Sequence, residues 1–130
     1  MIPCDRVFDT LRHSPWYNLY RPEGVAPVTT TRYVYGNPLI ARTMIEHNFV
    51  AGLHVPTNLI LIGDEKQTFI VYDVPSSLIG VENPVITFES QPESGGLESL
   101  RAAAEVLDKK VEGLLKTVIQ RADVLTKAKL

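Results

Sequence analysis

The sequence predicts an α+β domain built on a strand–helix–hairpin unit and closed by a long helix, and three observations carry that prediction. Residues 31–75 pass from a β-branched and aromatic stretch through an Asn-Pro helix start into two further apolar stretches separated by Gly63-Asp64-Glu65-Lys66. From Leu97 onward, Leu100, Ala104, Leu107, Val111, Leu114 and Val118 recur at spacings of 3 and 4, the signature of an amphipathic helix. The composition, 45% hydrophobic and 22% charged, belongs to an ordinary globular chain, and 130 residues suffice for one core without staples.

In chain order, residues 1–27 are the least determined part. Val7, Phe8 and Leu11 fall on one side of a short amphipathic helix over residues 5–12, which His13-Ser14-Pro15 stops. Residues 16–20 (WYNLY) are aromatic enough for a strand. Residues 28–35 predict a strand with Thr29, Thr31, Tyr33 and Tyr35 on one face and Val28, Thr30, Arg32 and Val34 on the other. Asn37 is an N-cap and Pro38 a first helical residue, since proline lacks only an N–H that is unpaired there anyway. Ile40, Met44 and His47 define the inward face, with Gly52 as the stop.

Residues 58–62 (NLILI) and 68–74 (TFIVYDV) form the hairpin. Neither alternates cleanly; Leu59, Leu61, Phe69 and Val71 are assigned to one face, and Ile60, Ile62, Ile70 and Val74 to the other. A sheet apolar on both faces needs cover on both, by helices on one side and by a twin subunit or a bound molecule on the other. Pro84 opens a further strand over residues 85–89, residues 90–96 (SQPESGG) form a loop, and residues 97–128 the closing helix. The core is thus placed in residues 28–90 of a single domain spanning 1–130. At a rise of 1.5 Å per residue the closing helix is roughly 45 Å long, more than a small domain spans, so part of it overhangs or packs on another copy.

Several function classes fit poorly. A net charge of −2 without a basic run argues against nucleic acid as a partner. Apolar runs of four or five residues are too short for a membrane span. The lone Cys4 permits no intrachain disulfide, and Asp5 and Arg6 interrupt any signal-peptide core, which points to a reducing, cytoplasmic setting. The ending Ala128-Lys129-Leu130 resembles a relaxed peroxisomal address and supplies the alternative location. Three histidines without metal-ligand spacing give no metal site, and no dinucleotide or phosphate fingerprint implies a cofactor.

The strings YGNPLIARTM and YDVPSSLI, with Gly36-Asn37-Pro38 before the helix, residues 51–56 (AGLHVP) at its exit, and Asp73 with Pro75 after a strand, resemble fungal members of domain-of-unknown-function family 302. The likeness covers roughly residues 33–78 and the closing helix. It implies an antiparallel sheet of four or five strands backed on one face by the long helix, in the manner of TATA-binding-protein-like and helix-grip folds, and a homodimer. It implies no catalytic residues, because the family's activity is not established. Thr57 stands where many bacterial members carry cysteine, and the usual first strand looks absent.

Candidate chemistry comes from the residues themselves. His54 after the helix exit, Asp73 before a bend, and His47 on the inward helix face are candidate acid–base groups, each with a structural alternative: a strand start, a turn cap and a core histidine. Arg32 is an anion clamp or a surface charge, and Tyr33, Tyr35 and Tyr72 are candidate ligand-binding phenols. These residues are compatible with a cofactor-independent isomerase, cyclase, dehydratase or other lyase acting on an apolar metabolite, with a homodimeric small-molecule binder, or with a domain serving only subunit association.

Overall fold

A computed structural model describes residues 6–81 and 97–128. Four strands form one antiparallel meander in the order β1 (Arg6–Arg12), β2 (Thr29–Gly36), β3 (Thr57–Gly63), β4 (Thr68–Tyr72). Between β1 and β2 lies the one-turn helix α1 (Ser14–Tyr17), continued by a 3-10 turn (Asn18–Tyr20). Helix α2 (Pro38–Ile45) and a second 3-10 turn (Phe49–Leu53) join β2 to β3, and α3 (Leu97–Ala128) crosses the sheet.

The start of the chain corrects the sequence-based expectation twice. Residues 6–12 are a strand, not a helix, and residues 16–20 are helical turns, not a strand. The spacing of Val7, Phe8 and Leu11 suits either period over so short a window. What decides is β2, whose outer N–H and C=O groups would otherwise be a bare edge. β1 pairs along it from Arg6 opposite Gly36 to Arg12 opposite Thr31, with a bulge at Phe8 between Val7 and Asp9. The first strand that looked absent is therefore present. The strand and loop expected over residues 85–96 lie outside the described residues.

Helix α2 begins as expected, with the Asn37 side chain accepting from the Leu39 N–H at 2.9 Å and Pro38 in the first turn. It ends earlier. Asn48 caps the following 3-10 turn by accepting from the Val50 N–H at 2.9 Å, and this second start closes the helix at Ile45, well before Gly52. His47 consequently falls in the intervening turn and is exposed, not on the inward face.

The pairing of β3 with β4 also revises the faces. Leu59 opposes Tyr72, Leu61 opposes Ile70, Ile60 opposes Val71 and Ile62 opposes Phe69. Opposed residues share a face, so Ile70 joins Leu59 and Leu61 beneath the helices, while Phe69 and Val71 join Ile60 and Ile62 outside. The length of the loop sets this phase. Asp64 holds that loop: its Oδ1 accepts from the N–H groups of Lys66 (2.8 Å) and Gln67 (2.9 Å). These bonds, the Lys66 one foremost, hold the Asp64 carboxyl below its usual value of 3.8. A depressed carboxyl stabilises the fold above its unfolded pKa and ceases to do so as pH falls through the folded value. Asp64→Ala is accordingly expected to lower the melting temperature near pH 7 and to approach that of the parent chain as pH falls through the carboxyl's folded value; unfolding curves at falling pH measure it.

The core lies between the sheet and the helices. Met44 of α2 and Ala104 of α3 are fully buried, with Tyr35, Ile79, Leu107 and Val111 around them. A 3-10 turn (Pro75–Ser77) after β4 is tied to α3, because the Ser76 N–H donates to Asp108 Oδ1 at 2.9 Å. Val55-Pro56 is cis. Burial along α3 stops at Leu115. Every residue over 116–128 is exposed, including Val118, Ile119, Val124 and Leu125.

Among the described residues, the expected double cover is realised on one face only. The face bearing Tyr33, Tyr35, Leu59, Leu61 and Ile70 lies under the helices. The opposite face leaves Ile62, Phe69 and Val71 at 37%, 50% and 51% exposure, far too open for strand interiors of this composition.

Candidate functional site

The helix-covered face contains a strongly apolar concavity. Between α3 and the sheet lies a groove of about 410 Å³ floored by Tyr33, Leu59, Leu61 and Ile70 and walled by Leu114 and Val118 of the helix. Arg6 and Val7 of β1 stand at its rim. Strand alternation puts these floor residues on one side, and the 3–4 spacing of α3 puts Leu114 and Val118 over them. Buried Tyr35 separates this groove from a second hollow of about 420 Å³ toward α2, which Asn37, Ile40, Leu107, Lys110 and Thr117 help line. Tyr35 is held from behind, where the buried Thr57 hydroxyl donates to its carbonyl oxygen at 2.9 Å.

The open face carries a different site. Asn58 Oδ1 accepts from both Arg32 Nε (3.1 Å) and Nη2 (2.7 Å), laying the guanidinium across β2 and β3. Asp73 follows β4 on the same side, its backbone N–H donating to the Asn58 carbonyl at 3.3 Å. Arg32, Asn58, Ile60, Val71 and Asp73, with the edge of Tyr72, bound a shallow cleft of about 200 Å³.

The candidate residues therefore divide among three places. Tyr33 and Tyr35 meet at the groove. Arg32 and Asp73 meet on the opposite face, with Tyr72 at the edge between them, where it also packs against the core. His54 is half-buried at the end of the 3-10 turn over Phe49–Leu53, and its backbone N–H donates to Ala51 O at 2.9 Å. His47 is exposed in the turn after α2. Among the described residues, no hydrogen bond joins the side chains of His47, His54 and Asp73.

Asn58 escapes a reading by residue chemistry alone, though a lone polar residue within NLILI is the signal that marks it. Leu114 and Val118 look like core residues in the sequence. Only the place where α3 leaves the sheet makes them a groove wall. Among the described residues no cluster of three or more His, Cys, Asp or Glu side chains is placed to hold a metal ion. No helix among them is long and apolar enough to cross a membrane.

A search of curated proteins returned no match. The family model described as "Domain of unknown function DUF302" matches residues 23–118, which takes in β2 through most of α3 and so the floor and helical wall of the groove. With that span covering well over half of the chain, the protein belongs to the DUF302 family.

Proposed function

We propose that the domain binds an apolar small molecule in the groove between the sheet and α3. The carrying observation is the groove's own chemistry: about 410 Å³ lined almost wholly by Leu, Ile, Val and tyrosine rings, with the Tyr33 phenol and Arg6 as polar groups at its margin. That volume lies in the range of ordinary ligand sites, and the pattern of apolar lining with few polar groups is what such sites share. Binding is favoured over acid–base catalysis because His54, His47 and Asp73 lie apart from the groove. The catalytic reading, a cofactor-independent isomerase or lyase, needs those residues to act on the bound molecule.

Titration with the neutral fluorophore N-phenylnaphthylamine tests the proposal. Saturable one-to-one binding is expected, weakened about tenfold or more by Val118→Glu, since a buried valine contact is worth about 1.5 kcal/mol or more. Binding that is unsaturable, or indifferent to Val118→Glu and Leu61→Asp, overturns it. Once a ligand is known, His54→Ala and Asp73→Asn are expected to leave its affinity unchanged; conversion of the ligand by the parent chain and not by these variants would instead favour the acid–base reading.

We also infer that the chain works as a homodimer. The support is the apolar sheet face left exposed among the described residues and the exposed apolar side chains over 116–128, which at 1.5 Å per residue extend α3 about 20 Å past its last buried residue. An isolated helical overhang of that length gains little stability without packing.

A further inference from the structure

We propose that the open face of the sheet is where two copies meet, packed face to face about a two-fold axis so that Arg32 of each copy pairs with the partner's Asp73. This rests on the homodimer reading and names its surface. Three features of the face converge on a second copy of this chain as the occupant.

The first is apolar area. The pairing of Val34 with Asn58, Arg32 with Ile60 and Val71, Thr30 with Ile62 and Phe69, and Leu11 with Arg32 gathers six apolar side chains on one side of the sheet. Four of them, Leu11, Ile62, Phe69 and Val71, are 37% exposed or more.

The second is charge. Within that apolar field stand Arg32 and Asp73, and neither is in an ion pair among the described residues of its own chain. Arg32 bonds to the neutral Asn58, and the ion pairs among the described residues are Arg42 with Glu46 and Lys116 with Glu112. The remaining acid on this side, Asp9, accepts from the Thr10 N–H at 2.8 Å and sits out on β1. Apart from Asp9, the charges on this face are Arg32 and Asp73, and that pair is complementary to itself. When two such faces stack about a two-fold axis that lies between them and bisects the line from Arg32 to Asp73, each charge falls opposite its counter-ion twice over. Asn58 keeps the guanidinium flat, with Nη1 and the outer N–H of Nη2 still available to a carboxylate.

The third is the cleft itself. Ile60 and Val71 line it, and by register Ile60 and Asn58 bracket the midpoint between the two charges, so Ile60 would lie near the axis with the ion pairs flanking it.

Charge exchange tests the arrangement. Arg32→Asp and Asp73→Arg are both at exposed positions, so unchanged circular dichroism and melting are expected of the monomers. In sedimentation equilibrium at micromolar to high-micromolar concentration the parent chain is expected to be dimeric. Each single variant, which places two like-charged pairs across the interface, is expected to weaken dimerisation about 100-fold or more. The two variants mixed in equal amounts are expected to associate again, as is the double variant Arg32→Asp/Asp73→Arg. A monomeric parent chain overturns both the homodimer reading and this surface. A dimeric parent whose single variants remain dimeric, or whose mixture stays monomeric, overturns the surface and leaves the homodimer reading standing; loss of the dimer in Val118→Glu/Leu125→Glu would then assign it to the α3 overhang.

Discussion

Met44→Ala is expected to destabilise the domain by about 2–5 kcal/mol, lowering the melting temperature by roughly 10 °C or more. Met44 is completely buried and sits where α2 meets α3 over the end of the sheet. The loss combines the transfer free energy of the deleted thioether arm with the cavity left behind. Collapse of that cavity is resisted on both sides, because α2 is held by its Asn37 cap and α3 by the Asp108 bond to Ser76. Thermal unfolding by circular dichroism measures the effect. A change below about 1 kcal/mol would mean that α2 can settle onto the sheet without its central side chain.

Gly80→Ala is expected to cost about 2–4 kcal/mol, from left-handed backbone strain and steric overlap together. Gly80 has φ +73°, and a Cβ there would lie 2.9 Å from both the Cα and the N of Arg101. Those are backbone atoms of α3, so relief requires moving the helix. The Arg101 Nε also donates to the Gly80 carbonyl at 3.3 Å, which the displacement would break. Gly24 provides an internal control. It has φ +79°, but a methyl group placed there would meet nothing within 4 Å. Gly24→Ala therefore carries only the conformational penalty of about 1–2 kcal/mol. The difference between the two melting temperatures isolates the close approach of the chain to α3. Equal effects would show that α3 yields freely at its first turns.

Much of this architecture is legible in the residues. The Asn37-Pro38 start, the hairpin about Asp64 and the long periodic helix are local signals, each confined to a window where a cap, a turn or a 3.6-residue repeat has one reading. The failures come where a local pattern has two. Val7, Phe8 and Leu11 suit a helix or a bulged strand, and the free edge of β2 makes the choice. The helix expected to run to Gly52 stops at Ile45 because Asn48 starts a new turn, and that moves His47 out of the interior. Residue pattern puts Phe69 and Val71 on the wrong side because the phase across the hairpin depends on how many residues its loop consumes.

The candidate site divides in the same way. Arg32, Tyr33, Tyr35 and Asp73 stand out by residue type, but only the register assigns the first and last to one face and the two tyrosines to the other. Nothing along the chain announces that α3 leaves the sheet near Leu115 and opens a groove there.

From the order of residues alone come the element types of the central unit, its double-sided greasiness and the amphipathic closing rod, because caps, turns and periodicities act over a few neighbours. Only the folded arrangement decided that the first segment is a strand, which face each side chain takes, and that among the described residues the helices roof one face and leave the other exposed. Those outcomes depend on pairing between segments far apart in sequence, where a shift of one residue exchanges the two faces of a strand.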